Sequence, residues 1–223
     1  MIRNIYHGST QIIRAPRFGA GDAYNDFGLG FYCTDIPDLA AEWAVELRRN
    51  GFVNKYTLND TGLRIIDLGS PQYNILHWIS LLTNFREFDT TSSLFYQGKE
   101  YIRNAFAVDY QNCDCIIGLC ADNSNFAFAQ DFLSGRIDHR QLKDAVIKGN
   151  SGRQFVLKSN RAFERVVFEG YDVAWSKDRY PSRISRDKKL LASVSAVTRS
   201  SGEGLYITQI LDEEIKPYDH RLR

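Results

Sequence analysis

Apolar positions along the chain recur at two different spacings. In Pro37–Arg49, Leu39, Trp43 and Leu47 fall four apart, Ala40 and Ala44 widen the stripe, and Asn50-Gly51 supplies a stop. That is the signature of an amphipathic helix, and Asp35 and Pro37 suit its first turn. Asn74–Phe85 carries Ile75, Trp78, Ile79 and Leu82 at the same helical spacing. Further helices are predicted over Lys99–Val108, Asn125–Leu133 and His139–Ile147. Strand-like runs lie at Ile2–Tyr6, at FYCT (31–34), and at FVNKYTL and LRIIDL, which Asn59-Asp60-Thr61-Gly62 separates as a turn. CIIGLC (115–120) is short, apolar and without a helical stripe, which predicts a buried strand. RQFVLK and RVVFEG read as two strands linked at Ser159-Asn160, and GLYITQIL as a last one.

Strands and helices thus both occur along the chain, a mixed content. From Tyr171 the texture changes. A polar, basic stretch over Ser176–Lys189, with Pro181, leads into a short helix carrying Leu190, Leu191, Val194 and Val197. This suggests a main domain over 1–170 and an extension over 171–223, which can equally be a last layer of the same domain.

Composition narrows the options. The 223 residues, 43% of them hydrophobic, suffice for one well-packed core. A net charge of +1 excludes a bulk polyanion binder. The stretch MIRNIYHGST lacks a secretory apolar core, and no apolar run approaches a membrane span. A cytoplasmic protein without membrane association is expected. Cys33, Cys113, Cys115 and Cys120 lack the spacing of a zinc site, so buried reduced thiols and no metal are expected.

Three short stretches carry candidate chemistry. In Tyr6-His7-Gly8-Ser9 an imidazole sits beside a glycine backbone that a ligand can approach closely. In Asp26-Phe27-Gly28-Leu29-Gly30-Phe31-Tyr32-Cys33-Thr34-Asp35 a glycine turn precedes two aromatics, which a strand points to opposite faces. The spacing is not that of a dinucleotide fingerprint, since the third glycine is missing. In Gly152-Arg153-Gln154-Phe155-Val156-Leu157 a glutamine opens a strand. Each alone reads as ordinary turn or strand chemistry.

Taken in order, the three stretches resemble the ADP-ribosyltransferase superfamily, in its diphtheria-toxin and poly(ADP-ribose) polymerase branch. His7-Gly8-Ser9 matches its first motif. Gly28–Asp35 with the Ala-rich helix behind it matches the second, and Gln154–Leu157 the third. The chain is also similar to a narrower bacterial family with the pattern HGS, DFGxGFY, VNxY and YDxxIGxxADD, here at His7–Ser9, Asp26–Tyr32, Val53–Tyr56 and Cys113–Asn123. The resemblance covers Ile5 to about Gly170.

The resemblance implies an α+β class, a split β-sandwich with an NAD cleft flanked by helices. It implies that His7, Gly8 and Ser9 hold NAD, that Tyr32 is the platform under nicotinamide, and that Gly30, Phe31, Asp26 and Phe27 belong to the same site. Gln154 stands where the superfamily often has a glutamate gripping the ribose, and Asp122 is a candidate compensating acid. The implied function is mono-ADP-ribosyl transfer from NAD to a protein or nucleic acid, as the toxin of a toxin–antitoxin or defence system. The alternatives are an inactive NAD or ADP-ribose module, or an NAD glycohydrolase. Ser176–Leu190 carries a net +4, leaving the remainder at −3. That segment is a candidate contact for an anionic acceptor or an acidic antitoxin-like partner, against the plainer reading of a solvated loop.

Overall fold

Seven extended segments build the sheet on which everything else sits. The computed structural model describes residues 1–88, 92–121, 123–148, 152–197 and 203–222. Its strands are β1 (Ile2–Ser9), β2 (Phe31–Thr34), β3 (Gly51–Asn59), β4 (Ile65–Asp67), β5 (Cys115–Leu119), β6 (Arg153–Leu157) and β7 (Val166–Ala174). They form one sheet in the order β4-β5-β6-β2-β1-β3-β7, antiparallel except between β4 and β5. β1 pairs with β3 along its whole length, from Ile2↔Asn59 to Ser9↔Phe52. With β2 it pairs at one position only, Tyr6↔Thr34. Beyond that pair the two strands diverge, and the sheet is nearly divided there.

Alternation along the strands sorts side chains to two faces. Phe31 and Cys33 join Ile5, Tyr56, Ile117 and Phe155 on one face, capped by Ala162 and Phe163 of α6 (Asn160–Phe163). On the other face Tyr32, Ile116 and Val156 meet a large helical layer. That layer comprises α2 (Ile75–Phe85), α3 (Ser93–Ala105), α4 (Asn123–Leu133), α5 (His139–Lys148) and α8 (Ile207–Asp212). Over the other half of the sheet lie α1 (Pro37–Ala44), through its alanines and Val53, and then α7 (Ser176–Val197). Among the described residues no helix is long and apolar enough to cross a membrane.

α2 shows how local chemistry fixes a boundary. The Asn74 side chain accepts from the Leu76 N–H, while His77 Nδ1 accepts from the Asn74 N–H. This capping box satisfies two donors that a helix start leaves open.

Several elements differ from the sequence expectation. α1 stops at Ala44, because Val45 turns extended to bury itself completely. Leu47, counted in the helical stripe, is exposed. RVVFEG does not pair with RQFVLK: β6 lies between β5 and β2, while β7 lies at the far edge beside β3. GLYITQIL becomes a turn into α8, because Leu205, Ile207 and Ile210 all reach the core from a helical path and Gln209 caps the Tyr206 N–H. Position 170 falls inside β7, and the tail residues Leu205, Ile207, Ile210, Ile215 and Leu222 sit in the main core cluster.

The basic stretch is also different from expected. It belongs to a single 22-residue helix, α7, which tolerates Pro181 in its second turn. Three of its cations are turned to α1. Arg179 pairs with Asp38 at 2.7 Å, Arg186 with Glu42 at 2.8 Å, and Arg183 donates to the Val45 carbonyl at 3.5 Å. The Arg186–Glu42 pair is largely buried. These arginines fasten α7 to α1, which leaves Lys177, Lys188 and Lys189 exposed beside the exposed Asp178.

Gly8 is where β1 and α1 come closest. A Cβ there would collide with the Ala40 carbonyl oxygen and lie 2.8 Å from the Ala44 nitrogen. Gly8→Ala is therefore expected to cost about 1–3 kcal/mol through overpacking, measured by urea unfolding. Ser9→Ala, which removes only an acceptor for the Gln11 N–H, is expected to stay within about 0.5 kcal/mol of wild type.

Candidate functional site

The cleft opens at the divergence of β1 and β2, and an irregular segment over 10–30 forms one wall. Both ends of this segment are tied to the sheet. At its start, buried Asn54 of β3 accepts from the Ile13 N–H at 2.8 Å and donates to the carbonyls of His7 and Gln11. The Tyr56 hydroxyl donates to the Ile13 carbonyl. At its end, the Tyr32 hydroxyl accepts from the Phe27 N–H at 3.0 Å and donates to the Gly28 carbonyl at 2.6 Å. The Lys158 ammonium donates to the carbonyls of Phe27 and Leu29. Burial pulls the Lys158 pKa down. Gly28 lies at φ +72, a left-handed position, with the Phe85 ring where a Cβ would go.

Between these anchors lies a cavity of about 430 Å3. It gathers His7 of β1, Asp26 and Gly30 of the irregular segment, Phe31 and Tyr32 of β2, and Gln154 of β6. These are six of the expected site residues, drawn from separate stretches of sequence. Gly8, Ser9 and Phe27 do not line it. Gly8 faces α1, Ser9 accepts from the Gln11 N–H, and Phe27 is wholly buried against Gly118. Asp122 lies outside the described residues.

His7 packs tilted on the Phe31 ring, with centroids 4.4 Å apart. Its Nδ1 lies 2.6 Å from the Tyr32 carbonyl oxygen. A carbonyl only accepts, so Nδ1 carries the hydrogen and Nε2 keeps its lone pair. Burial lowers the pKa of His7, the Tyr32 carbonyl opposing, so the ring is neutral at physiological pH.

Tyr32 is not the free aromatic platform that the resemblance implies. Its ring packs against the main core, and its hydroxyl closes the Phe27–Gly28 turn. Burial pushes its phenol pKa far upward, so it stays protonated as a donor. One edge still borders the cleft.

Asp26 is buried and is the one carboxylate among the described residues lining the cavity. Its Oδ1 accepts from Arg86 Nη1 at 2.9 Å, and its Oδ2 from the Ala121 N–H at 2.8 Å and from Gln154 Nε2 at 2.9 Å. Gln154 Nε2 also donates to the Leu119 carbonyl at 3.2 Å.

The sequence does not point to Arg17, Arg86 or Trp43 as cleft residues, nor to Lys158 as its support. Arg86 follows directly on α2, and its guanidinium stacks 4.6 Å over Phe126 while one nitrogen grips Asp26. Nothing local in the sequence marks these residues, because the cleft groups they face come from other, distant segments.

One family model, described as "Protein of unknown function (DUF3990)", matches residues 3–168. No curated protein and no solved structure matches the chain.

Two outcomes are expected from this geometry. Tyr32→Phe keeps the ring but strands the Phe27 N–H and the Gly28 carbonyl, which is expected to cost about 1–3 kcal/mol. Thermal unfolding of the two proteins measures it. Acid sensitivity is the second. Burial lowers the pKa of His7, His77 and His139 alike, so the unfolded chain binds protons more readily. The resulting stability is complete above the unfolded value of about 6.5 and is lost as pH falls from there through the folded pKa values. The drop in Tm between pH 7 and pH 5 is expected to be smaller in His7→Asn than in wild type.

Proposed function

The chain belongs to the DUF3990 family, its model covering 166 of the 223 residues (3–168), and for this member we propose an NAD-dependent mono-ADP-ribosyltransferase that modifies a protein or nucleic acid. The observation that carries the reading is the convergence of His7, Tyr32 and Gln154, from three distant segments, on one cavity at the place where β1 and β2 part. The narrow junction of the two sheet halves suits a split-sandwich NAD fold. A volume of about 430 Å3 falls in the usual range for small-molecule sites.

Each group has a role in such a site. The neutral His7 offers Nε2 as an acceptor for a ribose hydroxyl. Gln154 offers a second acceptor, without charge. The edge of Tyr32 borders the nicotinamide end. Arg17 and Arg86 supply positive charge near the diphosphate. In the reaction the bond between ribose C1′ and the nicotinamide nitrogen breaks, and nicotinamide leaves neutral with the electron pair. The acceptor's nucleophile then bonds to C1′ and loses its proton to solvent or to a base. The transition state has oxocarbenium character, as in glycoside hydrolysis. A cytoplasmic toxin restrained by an acidic partner is the setting this activity would suit.

A second reading has its own support. Asp26, the described cleft carboxylate, is already bound to Arg86, Ala121 and Gln154, so little negative charge faces a developing cation. That favours an NAD-binding module without turnover. Labelled NAD separates the readings. Label on a macromolecule in lysate, then removed by protease or by nuclease, means transfer. Nicotinamide release from pure protein without acceptor means hydrolysis, and saturable binding alone means a module. Calorimetric titration is expected to show NAD binding that His7→Ala weakens about 2- to 12-fold, the worth of about 0.5–1.5 kcal/mol for a hydrogen bond. Absence of NAD binding at millimolar concentration would sink every version of this proposal.

A further inference from the structure

Gln154 is 2% exposed, yet it lines the cleft. Its amide nitrogen is the atom turned inward, where it meets Asp26 Oδ2 at 2.9 Å and the Leu119 carbonyl at 3.2 Å. Both partners can only accept, so both amide protons are committed and the flip of the side chain is decided by its surroundings. Turning the amide over would set Oε1 against a carboxylate and a carbonyl. No described residue donates to Oε1. Asp26 in turn is fixed by Arg86 Nη1 and by the Ala121 N–H. Neither of these partners is on the strand that carries Gln154.

We propose that Asp26 is the positioning residue of the cleft, holding the Gln154 carboxamide by its NH2 so that Oε1 is presented to a ligand hydroxyl as an oriented, uncharged acceptor. Position 154 is thereby specified as an amide. A glutamate there would bring a second carboxylate to Asp26 and to the Leu119 carbonyl and would have to hold a proton to remain. It would add no usable anion to the site. The identification of the ligand as NAD rests on the preceding proposal, but the Asp26–Gln154 lock does not.

The test has one arm that needs no ligand. Tm is measured at pH 5 and pH 8 for wild type, Q154A, Q154E and D26N/Q154E. The carboxyl that Q154E introduces beside Asp26 has a folded pKa raised above its unfolded value of about 4.3. Its proton-dependent stability is therefore lost as pH rises. The Tm deficit of Q154E is expected to be larger at pH 8 than at pH 5 by about 4 °C or more. Q154A is expected to show equal deficits, and D26N/Q154E, with one carboxylate again, to lose the pH dependence. A Q154E deficit equal at both pH values overturns the proposal. If Q154E folds at neither pH, the wild-type side chain decides by NMR. Both Gln154 NH2 protons, identified by their absence from Q154A, are expected to resist solvent exchange, and rapid exchange overturns the lock.

The second arm uses NAD as the probe. D26N and Q154A are each expected to weaken NAD about 5- to 10-fold, and D26N/Q154A no more than the weaker-binding single variant. Independent, multiplying losses would mean that Asp26 acts on its own and would overturn the positioning role. If wild type fails to bind NAD, the proposed function falls and the Tm arm alone decides the lock.

Discussion

The carboxylate of Asp26 is the knot of this molecule. It sits on the irregular segment between β1 and β2, yet it binds the guanidinium that follows α2, the amide after β5 and the first inward side chain of β6. Four separate pieces of chain thus meet on two oxygen atoms. A buried carboxylate is costly unless it is paired and hydrogen-bonded. Here the Arg86 cation and two N–H donors meet that requirement. The same requirement fixes the segment over 10–30 against the helical layer, and so gives the cleft its second wall.

Around this knot the sheet supplies rigidity of two kinds. β1 and β3 are bonded along their length, and β5, β6 and β2 form a second continuous block. Between the blocks the strands pair only at Tyr6 and Thr34. What keeps the halves in register is then largely side-chain chemistry: Asn54 and Tyr56 from one block hold the start of the wall, and Tyr32 and Lys158 from the other hold its end. The wall is thus a strap between two blocks, which explains why polar residues at its ends are buried and bonded.

The sequence is most legible where structure is local. The 3.6-residue stripe of α2 can be read directly, as can FYCT and the short uninterrupted apolar run CIIGL. The cleft is legible in part: His7, Asp26, Phe31, Tyr32 and Gln154 do converge. What the residues by themselves withhold is direction. Tyr32 has its hydroxyl tied back to its own turn, and the side-chain position of Gly8 is taken up by α1. Strand neighbours are equally hidden, because RVVFEG carries no mark that distinguishes β3 from β6 as its partner. α8 reads as a strand because three apolar residues in a short run suit a strand as well as a turn of helix. The first part of α7 reads as a loop because Pro181 and dense charge look like one until Asp38, Glu42 and the Val45 carbonyl are seen to face them.

The order of strands in the sheet has a consequence for the nascent chain. β2 is flanked by β1, with which it shares one pair, and by β6, with which it shares four, so it has almost nothing to bind until residues 153–157 exist. The wall before it waits on Lys158, and Asp26 waits on Gln154. During synthesis, more than a hundred residues of the chain therefore emerge before the walls of the cleft can close, and loop closure over that span is slow. The cleft thus takes shape late and all at once, rather than growing with the length of the chain.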